Sequence, residues 1–201
     1  MSVLIIVGGT MGTKGEKTKE LIVTEATKLF ATNGYVAVTM KDICEACALS
    51  RGGLYQHFSS TKEIFLAMLS ADKKDWQNQL NQAIAKEIPA DKLLDYYLEQ
   101  QKKSLINTSN GLAFAIHEFA FMKTDQREYI DSRFQAAIEI LVRMLVYGQQ
   151  QGIFSSFDAT IMATHLVLFF DGLQTSSPVL TLSEQLIESQ LKLVKEMVLK
   201  P

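Results

Sequence analysis

Apolar residues recur along this chain at the spacing of an α-helix from about residue 16 onward. Ile22, Ala26, Leu29 and Phe30 stand at i, i+4, i+7 and i+8, one face of an amphipathic helix. Asn33-Gly34 ends it, glycine being suited to the left-handed cap. After a short extended link, Thr39 with Asp42 three residues on reads much like a capping box and opens a brief helix over 40–47. "CALS" makes a tight turn, and 51–58 reads as the next helix. Ser60-Thr61-Lys62-Glu63 is an S-x-x-E capping box that opens a long fourth helix through Trp76. Later segments are longer, with helices predicted near 91–107, 111–123, 125–151, 158–175 and 183–199 and Thr181-x-x-Glu184 as a candidate cap for the last. Gly111, Gly152, Pro178 and the "TSS" at 175–177 punctuate them. The pattern carries no convincing strand, internal repeat or low-complexity tract. It predicts an all-α fold: an extension over 1–16, a domain of short helices over 17–74 and a larger helical domain over 75–201, with the boundary around 74–90.

The last two predicted helices are apolar on more than one face. "MATHLVLFF" has no continuous polar stripe. In 183–199, Ile187, Leu191, Val194 and Val198 form one stripe while Leu186, Leu193 and Met197 form another. A helix that is apolar all round must be covered on two sides. One side can face its own domain; the other suggests a partner chain, so 158–175 and 183–199 are the expected homodimer contact.

Composition adds limits. The 201 residues are 47% hydrophobic and 21% charged, ordinary for a globular protein, and apolar runs such as 166–170 are far too short to span a bilayer, so no membrane association is expected. Two cysteines make no disulfide framework, and a cytoplasmic setting is expected. The net charge of −2 hides an asymmetry: residues 1–74 hold nine Lys and Arg against seven Asp and Glu, while 75–201 hold eleven against fifteen. A mildly basic front and an acidic back suit a small anion-binding module on a larger body. The opening "MSVLIIVGGTMGTKGEK" faintly suggests a strand running into a phosphate loop, but G-x-G-x-x-G and G-x-x-x-x-G-K-[ST] are both absent and no βαβ repeat follows. A loose extension, with Met11 as a candidate start, is the expectation there.

The third short helix, "SRGGLYQHF", carries two glycines in its first turn, each costing about 1 kcal/mol relative to alanine in a helix interior. On a helical wheel Leu54 and Phe58 fall together and, with Leu49, point inward. Gly52 and Gln56 lie opposite, flanked by Gly53 and Tyr55, with Arg51 and His57 at the edges. Two short helices joined by about four residues make a helix-turn-helix, whose second helix enters the DNA major groove by its N-terminal part. Bare glycines there let the backbone approach the bases. Arg51 can reach guanine and Gln56 adenine. Thr39, Tyr55, His57 and Lys62 are placed for phosphate or sugar. With Ser50 at the helix start, the DNA-binding set read from sequence is Thr39, Ser50, Arg51, Gly52, Gly53, Tyr55, Gln56, His57 and Lys62, and the partner is double-stranded DNA.

At these residues the chain resembles a known family. Residues 26–69 are similar to the N-terminal domain of TetR/AcrR transcriptional regulators, through Leu29-Phe30, Gly34, Thr39, Ile43, Leu49-Ser50, Leu54-Tyr55, His57-Phe58 and Lys62-Glu63 in order and at the family's spacing. Beyond them, Asp171-Gly172-Leu173 and the helical pattern look similar. The resemblance implies a homodimer with a C-terminal ligand-binding and dimerisation domain. It also implies a repressor released from its operator by a small-molecule effector. The chain departs from the family at Ala48, where glycine is usual, at Met40, a frequent second Thr, and at Thr61, where the phosphate-binding Lys often stands one place before Lys62.

The effector site is expected among Phe114, His117, Glu118 and Phe121, at i, i+3, i+4 and i+7, with His165 and Phe169 on a later helix and Trp76, Tyr96 and Tyr97 as further lining. The alternative is ordinary core; a His/Glu metal site is the remaining reading. Cys44-x-x-Cys47 reads as small-residue core packing, with a redox pair as its alternative; zinc would need about four ligands and no second pair exists. No acid, base and nucleophile converge, so neither enzyme nor cofactor is expected. The rival in another class is a helical small-molecule-binding protein without DNA binding. Finally, the fourth helix, running from the DNA reader toward the pocket, is expected to carry a tilt between them.

Overall fold

The structure is a computed structural model and describes residues 13–106, 111–177 and 179–200, without the side chains of 72–75. The opening run over 1–12 and the punctuating Pro178 lie outside the described residues. The helices are α1 (Lys14–Asn33), α2 (Met40–Ala46), α3 (Arg51–Tyr55), α4 (Thr61–Ala85), α5 (Ala90–Ile106), α6 (Leu112–Met122), α7 (Arg127–Gln150), α8 (Ala159–Ser176) and α9 (Glu184–Val198), with a 3-10 turn at Thr124–Gln126 before α7. β pairing among the described residues is confined to one bridge between Phe154 and Leu199.

Local chemistry sets the helix ends. Thr13 and Glu16 form a reciprocal capping box, so α1 starts at Lys14, inside the stretch read as extension. Gly34, at φ 79°, closes α1 through its N–H to the Phe30 carbonyl. Thr39 and Asp42 form the expected box on α2. Ser60 caps α4, but the Glu63 carboxylate turns to the Ser59 N–H and hydroxyl instead of Ser60. α4 continues past Trp76 to Ala85, because Leu80 and Ile84 keep the helical period and pack into the body, with Ala83 at the cavity wall. α3 is shorter than 51–58 and ends at Tyr55, although the Phe58 N–H still reaches the Leu54 carbonyl and Phe58 stays buried. α9 is capped by Ser183, which accepts from the Leu186 N–H, and not by Thr181.

Two cores form. One gathers Ile22, Ala26 and Phe30 of α1, Ile43 of α2, Leu54 of α3 and Phe65 of α4. It also takes Leu112, Ala115 and Phe119 of α6, so a helix from the second half of the chain completes the N-terminal core. Phe119 packs on Tyr35 and Phe65, with ring centroids 4.8 and 4.7 Å away. The second core is built by the later helices around residues such as Leu94, Leu145, Phe154, Phe170 and Val194. α7 packs along α8, and α9 along α5. Gly148 of α7 lies directly under Phe154: a Cβ there would sit 2.2 Å from the ring.

Candidate functional site

α2 and α3 pack at their inner faces through Ile43, Cys44 and Leu54, leaving the outer face of α3 to solvent. The turn between them holds Ala48 at φ 52°, the left-handed region where alanine is strained and glycine is not. Ser50 caps α3 by accepting from the Gly53 N–H at 3.1 Å. Arg51, Gly52, Tyr55 and Gln56 are exposed, and Tyr55 keeps 53% of its surface open. Arg51 has no ion pair or side-chain hydrogen bond among the described residues, leaving its guanidinium available.

The two glycines differ. A Cβ on Gly52 would meet nothing within 4 Å, whereas one on Gly53 would touch the Ser50 hydroxyl at 3.4 Å. Internal packing therefore does not demand glycine at Gly52; it keeps the outer surface low. Thr39 is exposed but occupied as the α2 cap, its hydroxyl donating to Asp42 at 2.7 Å. His57 is half-buried and lies close to Gly15 at the start of α1. Lys62 is committed elsewhere: its ammonium pairs with Asp125, in the 3-10 turn, at 2.6 Å. Cys44 and Cys47 are buried free thiols, and burial pushes the Cys47 thiol up, as suits core packing. Among the described residues no group of three His, Cys, Asp or Glu could hold a metal ion.

The body holds a cavity of about 430 Å³, within the usual range for small-molecule sites. α4 contributes Trp76, α5 Tyr97, α7 Phe134 and Met144, and α8 Phe170 and Asp171. Of the residues expected at this site, Trp76, Tyr96 and Tyr97 line it. Phe114, His117, Glu118, Phe121, His165 and Phe169 are not among its lining residues. α6 turns Ala113 and Ile116 to the cavity instead, leaving Phe121 73% exposed. His165 is exposed and stacks on Phe169.

His117 and Glu118 nevertheless sit at telling places. The His117 ring nitrogen Nε2 lies 2.9 Å from Asp171 Oδ2, on a residue that lines the cavity. That bond raises the imidazole above its ordinary value. Glu118 points the other way and accepts from the Tyr35 and Val36 N–H groups, in the link between α1 and α2. A second tie joins Gly111, just before α6, to the Ala31 carbonyl at 2.7 Å. Sequence missed the α7 wall, Arg133 and Phe134 among it, and the pair Gln101 and Gln174, because nothing local says which face of a long helix turns inward.

A compact helix-turn-helix with a bare outward face, seated on a helical body that holds an apolar cavity, is the architecture of a DNA-binding regulator. Residues 22–68 match the bacterial regulatory proteins of the tetR family, and residues 93–188 match the tetracyclin repressor-like C-terminal domain. The chain belongs to the TetR family of transcriptional regulators. It is 28% identical to the HTH-type transcriptional regulator YfiR of Bacillus subtilis over 142 residues, 69% of each chain. The fold is that of E. coli NemR in its reduced form, at TM-score 0.77 and 18% identity over 92% of this chain and 98% of that one. A transcriptional regulator from Saccharomonospora viridis, solved in complex with choline, superposes at TM-score 0.74 and 20% identity over 92% of this chain and all of that one, 100%.

Proposed function

We propose that this regulator is a homodimeric repressor that binds a near-palindromic operator through α2 and α3 and leaves it when a small molecule fills the body's cavity. The observation that carries the reading is the double attachment of α6. One side of this helix contributes Ala113 and Ile116 to the cavity and, through His117, grips Asp171. The other side buries Phe119 in the core of the DNA reader and holds the α1–α2 link through Glu118. A ligand that shifts Asp171 or Ile116 acts on a helix that the reader's core cannot do without. α4 offers a second route, running unbroken from its cap at Ser60 to the cavity wall at Trp76.

Dimerisation is supported by apolar residues left outward on α8 and α9, among them Ile161 at 69% exposed, Leu168, Leu193 and Met197. No helix among the described residues is long and apolar enough to cross a membrane. The test is selection of an operator from random DNA, followed by mobility shifts across a salt series and sedimentation of the complex. Two chains on a two-fold site, with affinity falling steeply in salt, are expected. Absence of any preferred sequence, or a single chain on an asymmetric half-site, would overturn the reading.

A further inference from the structure

The charged groups at the cavity already have partners. Asp171 is held by His117 at 2.9 Å. The Arg133 guanidinium donates to the Leu69 carbonyl. Lys92 lies exposed at the rim and pairs with Asp91 at 3.6 Å. The rest of the wall is aromatic, aliphatic or neutral polar. Two polar groups of α5 are different. Tyr97 is 8% exposed and lines the cavity, yet its hydroxyl makes no hydrogen bond among the described residues. Its ring is fixed edge-on between Trp76 and Phe170, at centroid distances of 6.3 and 5.7 Å. One helical turn on, Gln101 is 4% exposed and accepts from Gln174 Nε2 at 2.7 Å, which leaves its own Nε2 hydrogens without an acceptor among the described residues. Both atoms keep accessible surface, unlike Thr175 Oγ1, which is fully enclosed and without a partner among the described residues. Both residues line the cavity. A ligand that seals the cavity without bonding these donors would leave them unpaired, so one that bonds them gains selectivity.

We propose that the cavity takes a neutral, largely apolar molecule bearing a carbonyl-type oxygen, held by the Tyr97 hydroxyl and the Gln101 amide. Burial pushes the Tyr97 phenol up, so it stays a protonated donor at any physiological pH. The aromatic and aliphatic walls around this donor pair supply the apolar part of the fit. The proposal rests on reading the cavity as the effector site.

Three probes of similar size separate the ligand classes: benzylacetone, its hydrocarbon counterpart butylbenzene, and phenethyltrimethylammonium as the cation. Trp76 is the chain's sole tryptophan and lines the cavity, so its fluorescence reports occupancy, with calorimetry for affinity. Benzylacetone is expected to bind tightest. Tyr97→Phe should weaken it roughly three- to tenfold and leave butylbenzene unchanged. The same variant should not lower thermal stability, because the hydroxyl it removes has no partner. Equal binding of butylbenzene or the cation, no binding of benzylacetone, or an unchanged benzylacetone affinity in Tyr97→Phe would each overturn the proposal. Benzylacetone that binds through Tyr97 but leaves operator affinity untouched would overturn the effector reading and keep the ligand class. A charged molecule that fills the cavity and releases operator would do the reverse.

Discussion

The carboxylate of Glu118 accepts a 2.7 Å hydrogen bond from the backbone N–H of Tyr35, 83 residues earlier in the chain. Gly34 makes room for it: a Cβ there would lie 2.4 Å from Glu118 Oε2. Glycine at this position thus serves both the left-handed end of α1 and the approach of α6.

Glu118→Ala should therefore loosen the DNA reader from the body. Loss of a carboxylate accepting backbone N–H groups is expected to cost about 1–3 kcal/mol, read from chemical denaturation. Glu118→Gln, which keeps an acceptor, should cost less. An alanine variant as stable as the parent would mean that solvent replaces the bond at no cost.

Gly52→Leu should abolish operator binding while leaving the fold unchanged, since its side chain enters open space. Arg51→Ala should weaken operator by about 1–3 kcal/mol and relax preference at one base pair per half-site. Circular dichroism and mobility shifts on the selected operator check both; a Gly52→Leu protein that binds like the parent would remove the reason for a bare helix face.

The Lys62–Asp125 pair makes a prediction in the opposite sense. Asp125→Asn frees a cation beside the reader and removes an anion, so operator affinity should rise and the salt slope should steepen by about one. Asp125 is exposed and Lys62 partly so, so thermal stability should change by less than about 1 kcal/mol. Unchanged affinity in Asp125→Asn would show that Lys62 does not reach the backbone of DNA.

The His117–Asp171 contact gives the body a pH dependence. The bond to Asp171 raises the folded imidazole above its ordinary 6.5, so the folded chain holds a proton that the unfolded chain gives up. The stabilisation is full below the ordinary value and is lost as pH rises through the raised one. The side chain is 40% exposed, which keeps the effect small. Urea midpoints measured from about pH 6 to 9 should fall for the parent and fall less for His117→Gln. Parallel curves would assign the slope to other groups.

The reader was legible in the sequence because its determinants are local. Thr39 with Asp42, Ser60 and Gly34 announce helix ends within a few residues of themselves, and Leu54 and Phe58 point inward on a wheel that needs no neighbour. The cavity was not legible in the same way. α6 is apolar on several sides, so Phe114, Phe119 and Phe121 look equivalent until α1, α4 and α8 choose among them. The structure buries Phe119 in the reader's core and leaves the other two exposed. Glu118 likewise looks like a pocket anchor beside His117, and only the fold sends it toward Tyr35. Ser183 displaced Thr181 as the cap of α9, a shift of two residues that local pattern alone does not decide.

α4 has a geometric consequence for reading DNA. Its 25 residues span about 37 Å from the Ser60 cap to the far side of the cavity wall. Pivoted at the cavity end, a rotation of roughly 5° would carry the reader through about 3 Å, close to the rise of one base pair. In a two-fold pair of such arms the displacements add, so a movement within the cavity smaller than a methyl group would put the two recognition helices out of step with the helical repeat of their site.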